Sequence, residues 1–291
     1  MNYGLIGTGL MGAPLGERLL AAGHGLTVYN RTAAKAESLG QQGAKVAATP
    51  LEVLQQADCV VLMLTNTAAI RETILSPQAS PGLRGKTVIQ MGTISPQESQ
   101  DLAAAITEAG GDYLECPVLG SIPEARTGKL ILLVGATPAQ FDQWLPLLQC
   151  FGPQPQHIGP VGQAMGLKLA FNQLIAGLAA TFALSLSYVQ LQGLEVEQFM
   201  GILRESALYA RTFDKKLQRM LDRDFANPNF PTQHMLKDVD LFLGAAQAAG
   251  LETQGLEGVR SLLAQAQALG FGEGDYAAIM AAIARDPQTL N

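Results

Sequence analysis

The chain changes its pattern of apolar residues near its midpoint. In the first half, short segments with an apolar centre alternate with stretches of helical spacing, and they fall at residues 3–6, 26–29, 58–64, 87–90, 112–115 and 130–134. Short apolar runs between turn signals predict buried strands, and strands that alternate with helices are typical of a doubly wound, mainly parallel sheet. We therefore predict an α/β domain of the Rossmann type over residues 1–162.

The second half of the chain predicts helices only. A long linking helix is expected over residues 163–192, and glycine, proline or asparagine separates the helices expected after it, at 196–206, 213–221, 232–249, 255–269 and 276–285. Thr232, which follows Pro231, is expected to be the N-cap of its helix. We therefore predict an all-α C-terminal domain over residues 163–291.

The long helix is unusually apolar, because no charged residue occurs between Lys168 and Glu195. Residues 169–194 are long enough to cross a bilayer, so a membrane span is one alternative. The stretch contains several hydroxyl and amide side chains and has no aromatic or basic belt at its far end, which favours a buried helix between packed layers. The N-terminus lacks the features of a signal or transit peptide, and we expect a soluble, cytoplasmic protein.

Composition and charge narrow the class of partner. The chain has 291 residues, a net charge of −6, and 48% hydrophobic against 15% charged residues. Nucleic acids and anionic membranes are disfavoured as partners because neither attracts an acidic protein. The apolar share indicates interior shared between subunits, so we expect a homodimer or a homotetramer. Isolated histidines and cysteines predict no metal site, and we expect buried thiols at Cys59, Cys116 and Cys150.

A glycine-rich turn follows the first predicted strand and precedes a helical stretch. The first glycine makes the turn, the second lets a pyrophosphate approach the backbone, and the third lets helix and strand pack closely; they are Gly7, Gly9 and Gly12. The helix N-terminus then offers free amides to phosphate groups. In this strand, turn and helix context the pattern predicts a dinucleotide-binding site.

The end of the second predicted strand bears on the choice of dinucleotide. A site for NAD usually has an acidic residue here, which binds the ribose 2′-hydroxyl. This chain instead has Asn30, Arg31 and Thr32. A guanidinium with amide and hydroxyl neighbours suits a 2′-phosphate, which a carboxylate would repel. We therefore predict NADP(H), the alternative being an ordinary exposed arginine in a loop.

Loops at the carboxyl ends of the other strands are the expected ligand-binding loops, since ligands bind at that edge of such sheets. They cover residues 65–66, 91–96 and 116–121. Ser95, followed by Pro96 and Glu98, has the pattern of a helix capping box, so a cap is favoured for Ser95 and a ligand contact for Thr93.

The start of the long helix combines a lysine with an amide. Lys168 and Asn172 are four residues apart and share one helix face, where an amide can hold an ammonium in position. The alternative is a surface lysine beside a buried helix. Further along, Lys237 and Asp238 are adjacent and are expected to bind different partners, and His234 is expected to be packed or solvated rather than catalytic.

Five motifs in this order resemble the β-hydroxyacid dehydrogenase family, which includes 3-hydroxyisobutyrate dehydrogenase, tartronate semialdehyde reductase and the glyoxylate/succinic semialdehyde reductases. The resemblance covers the whole chain and rests on residues 7–12, 92–96, 115–121, 166–172 and 237–238. One position departs from it, because Leu119 replaces the serine usual in the loop over 118–121.

The resemblance implies a role for each matching residue. Lys168 would be the catalytic lysine and Asn172 its partner in the active site. The implied cofactor contacts are Gly7, Gly9, Leu10, Met11, Gly12, Asn30, Arg31, Thr32, Leu64, Thr65, Thr93 and Lys237. The implied substrate contacts are Thr93, Val118, Leu119, Gly120, Ser121, Lys168, Asn172, Phe230 and Asp238. Without a hydroxyl at Leu119, carboxylate recognition would rest on the backbone amides of Leu119 and Gly120, together with Ser121.

The runs over residues 30–32 and 230–238 are most similar to those of the glyoxylate/succinic semialdehyde reductases. The resemblance therefore implies reduction of a small aldehyde acid by NADPH, with Lys168 as general acid. Oxidation of 3-hydroxyisobutyrate or reduction of tartronate semialdehyde are alternatives within the family. Imine reduction and a non-catalytic nucleotide-binding or interaction role are rivals on the same fold, and both are disfavoured by Lys168.

Overall fold

The computed structural model describes residues 2–284, which form two compact units divided between Lys168 and Leu169. The predicted boundary between residues 162 and 163 lies earlier, at the start of the long helix. That helix, α8 (Gln163–Leu191), is continuous across the division.

The first unit contains an α/β sheet. Its strands are β1 (Asn2–Ile6), β2 (Gly25–Tyr29), β3 (Lys45–Val46), β4 (Cys59–Leu62), β5 (Thr87–Gln90), β6 (Asp112–Glu115), β7 (Val118–Leu119), β8 (Ile131–Gly135) and β9 (Gln156–Gly159). The helices that precede α8 are α1 (Gly12–Ala21), α2 (Ala34–Gln41), α3 (Pro50–Gln56), α4 (Thr67–Ile74), α5 (Pro96–Glu108), α6 (Ile122–Arg126) and α7 (Pro138–Leu148).

The strand order confirms the predicted doubly wound sheet. It runs β3-β2-β1-β4-β5-β6-β8-β7, with β9 beside β8. The pairs from β3 to β6 are parallel, and β8 is antiparallel to both β6 and β7. The order reverses between β1 and β4, so the crevice at their carboxyl ends is the expected place for a ligand.

Apolar cores cover both faces of this sheet. Neighbouring residues of a strand point to opposite faces, and Leu5 and Ile6 accordingly belong to different cores. Leu15 of α1 packs in the same core as Leu5, whereas Val53 of α3 and Ile70 of α4 pack with Ile6. Burial on both faces explains why β4 is apolar without alternation and why every residue of β5 is buried.

Helices are the regular elements of the second unit over its described residues, as predicted, and loops connect them. After α8 it contains α9 (Val196–Glu205), α10 (Arg211–Leu221), α11 (Thr232–Ala248), α12 (Gln254–Ala266) and α13 (Ile279–Ile283). Arg285, the last residue of the final predicted helix, lies outside the described residues. The predicted N-cap at Thr232 is wrong: Pro231 holds that position, and the Thr232 hydroxyl donates to the carbonyl oxygen of Gly274 at 3.0 Å.

Helix α8 buries only one of its faces, although we expected burial between packed layers. Ala176, Ala183 and Leu186 lie in the core of the second unit, while Leu184 and Tyr188 are exposed. Among the described helices, α8 is long and apolar enough to cross a membrane, and 44% of its most apolar window is buried. The core helix of a soluble protein passes the same test of length and composition.

Candidate functional site

The glycine turn after β1 combines two structural glycines with one that leaves open space. Gly7 has a φ of 97°, and a Cβ placed on it would lie 2.3 Å from the carbonyl oxygen of Met63. A Cβ on Gly12 would lie 1.8 Å from the carbonyl oxygen of Gly7, whereas a Cβ on Gly9 would meet nothing within 4 Å. The fold therefore requires Gly7 and Gly12, and Gly9 leaves room for a ligand at the backbone.

A cavity of about 570 Å³ lies at the carboxyl ends of β1, β2 and β4. Seven predicted cofactor residues line it, namely Gly7, Gly9, Asn30, Arg31, Thr32, Leu64 and Thr65. Gly12 begins α1, and Leu10 beside it is 47% exposed. The cavity thus joins the glycine turn to the loop in which a 2′-phosphate is expected, and its open cradle at Gly9 fits a dinucleotide.

Asn30 connects these two loops, a role that the sequence did not indicate. Its Oδ1 accepts a hydrogen bond from the backbone N–H of Thr8 at 3.0 Å, and its Nδ2 donates to the carbonyl oxygen of Thr32 at 2.9 Å. The amide predicted to bind a phosphate therefore also fixes the glycine turn against the end of β2.

Lys35 also lines the cavity, although sequence reasoning missed it. It follows Arg31 by four residues at the start of α2, so a basic pair at helical spacing was the available signal. The Thr8 hydroxyl donates to its carbonyl oxygen at 2.8 Å. Two cations, Arg31 and Lys35, thus border this end of the cavity, and Glu72 of α4 is a carboxylate on its wall.

The loop after β5 is shaped by a buried glutamine. Gln90 is fully buried, and its side-chain amide donates to the carbonyl oxygen of Gly92 and accepts from its N–H, both at 2.8 Å. A Cβ on Gly92 would lie 2.3 Å from the carbonyl oxygen of Leu64. The predicted capping box of Ser95 and Glu98 is confirmed at the start of α5, and the half-buried Thr93 lies between these fixed points.

The predicted substrate loop uses its one hydroxyl internally. Val118 and Leu119 form β7, and Gly120 has a φ of 119°. The N–H and the hydroxyl of Ser121 both donate to the carboxylate of Glu124, at 2.8 and 2.9 Å. Because these hydrogen bonds occupy Ser121, the expectation that its hydroxyl helps to bind a carboxylate loses support. Leu119 pairs with Ile131 of β8, so the expectation that the Leu119 amide binds a carboxylate loses support as well.

Helix α8 carries Lys168 and Asn172 one turn apart. Lys168, the last residue of the first unit, is almost buried, with 9% of the residue exposed. In the second unit, the buried Asn172 Nδ2 donates to the Asp238 carboxylate at 2.5 Å. Asn172 Oδ1 is buried, and among the described residues none donates to it. A buried acceptor in this condition suits a donor from a bound molecule.

Lys237 and Asp238 form an ion pair, although adjacent residues of a helix were not expected to face each other. Lys237 Nζ lies 2.8 Å from Asp238 Oδ1, and Asp238 is buried. Neighbouring residues of a helix point in different directions, but the lysine side chain is long and flexible enough to reach the carboxylate of the next residue. Asp238 therefore links Lys237 to Asn172.

His234, on the same helix as Asp238, is half-buried. Burial lowers its pKa, as does the positive charge of Lys237, and these effects outweigh the carboxylates of Asp238 and Glu273, which raise it. Neutral imidazole is therefore favoured at neutral pH. This protonation state gives no support to a general-acid role.

A buried ion pair holds the segment that contains Phe230. Lys216 Nζ lies 2.7 and 2.8 Å from the carboxylate oxygens of Asp275, which also accept the N–H groups of Asn229 and Ala277. The ammonium lies 4.2 Å from the centroid of the Tyr276 ring, and that ring makes an edge contact with Phe230. The predicted substrate residue Phe230 is thus fixed through its neighbours in the second unit.

Thiols and metal ligands contribute little to the site. Cys59 and Cys116 are buried as expected, whereas Cys150 is only partly buried. Burial raises the pKa of all three thiols. Across residues 2–284, no group of three or more histidine, cysteine or acidic side chains could hold a metal ion.

Comparison with protein families covers nearly all of the chain. Residues 2–159 match the family described as the NAD binding domain of 6-phosphogluconate dehydrogenase. Residues 162–283 match the family described as NAD-binding of NADP-dependent 3-hydroxyisobutyrate dehydrogenase.

Two curated relatives are from Arabidopsis thaliana. The probable 3-hydroxyisobutyrate dehydrogenase-like 1, mitochondrial, is 31% identical over 98% of this chain and 85% of its own length. Glyoxylate/succinic semialdehyde reductase 1 is 28% identical over 97% of this chain and 98% of its own length. Human cytokine-like nuclear factor N-PAC is 29% identical over 96% of this chain, which spans about half (50%) of that relative's length.

A solved structure supports the fold. The 3-hydroxyisobutyrate dehydrogenase of Salmonella typhimurium has a TM-score of 0.87 and 22% identity, over 96% of this chain and 99% of that one. This likeness shows that the two chains share a fold.

Proposed function

The chain belongs to the β-hydroxyacid dehydrogenase family of NAD(P)-dependent oxidoreductases, and we propose that it uses NADPH to reduce small aldehyde acids. Glyoxylate and succinic semialdehyde, after which the Arabidopsis reductase is named, are the first candidates, giving glycolate and 4-hydroxybutyrate. The observation that carries this proposal is Lys168, an almost buried lysine on the helix that also presents the buried acceptor of Asn172.

NADPH supplies a hydride when it is bound, and the chain supplies binding and proton transfer. The open backbone at Gly9 and the positive N-terminal end of the α1 dipole bind the pyrophosphate. The Lys168 ammonium donates a hydrogen bond, and then a proton, to the substrate carbonyl oxygen as negative charge develops there. Asn172 Oδ1 accepts a hydrogen bond from the product hydroxyl that this proton transfer creates.

Preference for NADPH is proposed from the two cations at the cavity. Arg31 and Lys35 line its outer end, where a 2′-phosphate would gain from both positive charges. Arg31→Glu should therefore shift the ratio of kcat/KM values from NADPH towards NADH. An unchanged ratio would show that the phosphate is recognised elsewhere.

Exposed apolar side chains support the proposal of a homo-oligomer. Leu184, Tyr188 and Leu191 of α8 are each more than half exposed, as is Ile202 of α9. Large exposed apolar patches mark interaction sites in soluble proteins. Light scattering after gel filtration should give a mass of two or four chains, and a mass of 30.7 kDa would contradict this.

The decisive experiment measures NADPH oxidation with a panel of aldehyde acids. The panel contains glyoxylate and succinic, tartronate and methylmalonate semialdehydes, and it includes a cyclic imine for the rival activity. Lys168→Ala should retain NADPH affinity within about threefold and lose turnover by ~10²-fold or more, the scale of a positioned general acid. Near-normal turnover in Lys168→Ala would refute the assignment.

A non-catalytic nucleotide-binding role is the second candidate, favoured by the similarity to a protein named as a nuclear factor. It predicts NADPH binding without turnover of any compound in the panel. Lys168→Ala would then change neither binding nor NADPH oxidation.

A further inference from the structure

A buried carboxylate binds the first turn of α8 to the sheet. Glu115, the last residue of β6, is fully buried, and its Oε1 accepts hydrogen bonds from the N–H groups of Gly162 at 2.8 Å and Met165 at 3.1 Å. Amides in the first turn of a helix have no partner within the helix, and its N-terminus favours negative charge. Glu115 thus supplies from a distant strand the cap that is usually supplied locally.

The other oxygen of this carboxylate is fixed as well. The Ser99 hydroxyl of α5 donates to Glu115 Oε2, and Ser99 Oγ lies 2.7 Å from the hydroxyl oxygen of Tyr113. A Cβ on Gly135 would lie 2.4 Å from Glu115 Oε1, so the neighbouring strand leaves space for the carboxylate. Burial raises the pKa of Glu115, and the hydrogen bonds from Ser99 and from the helix amides partly oppose that rise.

The anchored turn is the one that leads directly to Lys168. Met165, whose N–H is held, precedes Lys168 by three residues, so the two lie within a single turn of helix. A shift or rotation of this turn would move the ammonium, and a displacement of about 1 Å can cost ~10²-fold in rate. The sheet thereby determines where Lys168 presents its charge.

We propose that Glu115 is a positioning residue for Lys168 and acts through the hydrogen bonds that it accepts from the start of α8. The proposal rests on the proposed function, because it assumes that Lys168 is the proton donor. Glu115 itself touches neither substrate nor cofactor in this account.

Three variants of Glu115 test the proposal. Glu115→Gln keeps an oxygen for the two helix amides and an NH₂ that can donate to Ser99, so kcat should stay within about threefold of wild type. Glu115→Ala removes the cap, and kcat should fall about tenfold or more while the KM for aldehyde and the Kd for NADPH change less than threefold. The kcat of Glu115→Asp should lie between the kcat values of these two variants, because the shorter side chain ends roughly 1.5 Å further from the helix amides.

A matched control separates positioning from loss of stability. Leu102→Ala, in α5, creates a cavity in a core of the first unit and should lower the melting temperature without changing kcat per folded molecule. Glu115→Ala should lower kcat even where its melting temperature equals that of the control. Where Glu115→Ala does not fold, Glu115→Asp provides the same comparison.

Two results would overturn the proposal while the proposed function stands: full kcat in Glu115→Ala, or equal loss of kcat in Glu115→Gln and Glu115→Ala. Either result counts against the positioning role only if Lys168→Ala is inactive in the same assay. If Lys168→Ala retains turnover, both the proposed function and the positioning role fail.

Discussion

Replacing Gly9 with alanine should separate cofactor binding from folding in the glycine turn. A methyl group at Gly9 meets no protein atom within 4 Å, and the φ of Gly9 is not positive. The same change at Gly12 places a methyl group 1.8 Å from the carbonyl oxygen of Gly7. Two similar substitutions three residues apart should therefore have opposite consequences.

The expected magnitudes follow from these distances. Gly9→Ala should leave the free energy of unfolding unchanged or raise it by ~0.4–1 kcal/mol, because alanine restricts the unfolded chain. It should weaken NADPH binding by about tenfold to 100-fold, because the methyl group fills the space in which a phosphate approaches the backbone, and each charge-assisted hydrogen bond lost costs ~1.5–3 kcal/mol. Gly12→Ala should destabilise the fold by about 3 kcal/mol or more, since backbone atoms must move.

Urea unfolding and fluorescence titration with NADPH measure the two effects on the same samples. Gly244→Ala is the matched control, because Gly244 is exposed in α11 and its added methyl group also meets nothing within 4 Å. It should stabilise the helix slightly and leave the Kd for NADPH unchanged. Wild-type NADPH affinity in Gly9→Ala would refute the placement of the pyrophosphate, and destabilisation of Gly9→Ala would refute the steric argument.

Three further predictions concern specificity and stability. Leu119→Ser should raise kcat/KM for glyoxylate several-fold by adding a hydroxyl to the loop, and an unchanged preference across the aldehyde panel would show that carboxylates bind elsewhere. Lys216→Met should lower the free energy of unfolding by about 3–5 kcal/mol because it leaves the buried carboxylate of Asp275 unpaired; Arg204→Gln, at an exposed ion pair, should have little effect in the same urea experiment. Burial lowers the pKa of His234 in the folded protein, whereas in the unfolded chain His234 has its ordinary pKa of about 6.5. Between these two pKa values the unfolded chain binds more protons than the folded protein. The free energy of unfolding should therefore fall as the pH decreases through and below about 6.5. His234→Gln should flatten this part of the melting-temperature profile, and an identical profile would contradict the inference.

The sequence predicted features that depend on local pattern. A continuous apolar run revealed β4, and the capping box of Ser95 and Glu98 joins residues only three positions apart. Strands β3 and β7 were missed because two residues carry too little pattern, and β9 because it is polar and largely exposed. Local pattern therefore gave the fold but not the ends of the sheet.

Contacts within the candidate site were harder to predict because they join distant parts of the chain. Asn30 binds Thr8 from another loop, and Glu115 binds amides almost fifty residues later. Short-range geometry also misled, because the prediction for Lys237 and Asp238 neglected the reach of a lysine side chain. Contacts between side chains of different elements therefore become visible only in the structure, even where both residues belong to recognisable motifs.

The double use of Asn30 constrains any redesign of the dinucleotide site towards NADH. Aspartate at this position would introduce the carboxylate that suits a ribose 2′-hydroxyl, and it would still accept the Thr8 N–H. It would also remove the N–H group that donates to the Thr32 carbonyl oxygen, so the substitution that favours NADH would also weaken the loop. Cofactor exchange at this site therefore requires a second substitution that restores the lost donor.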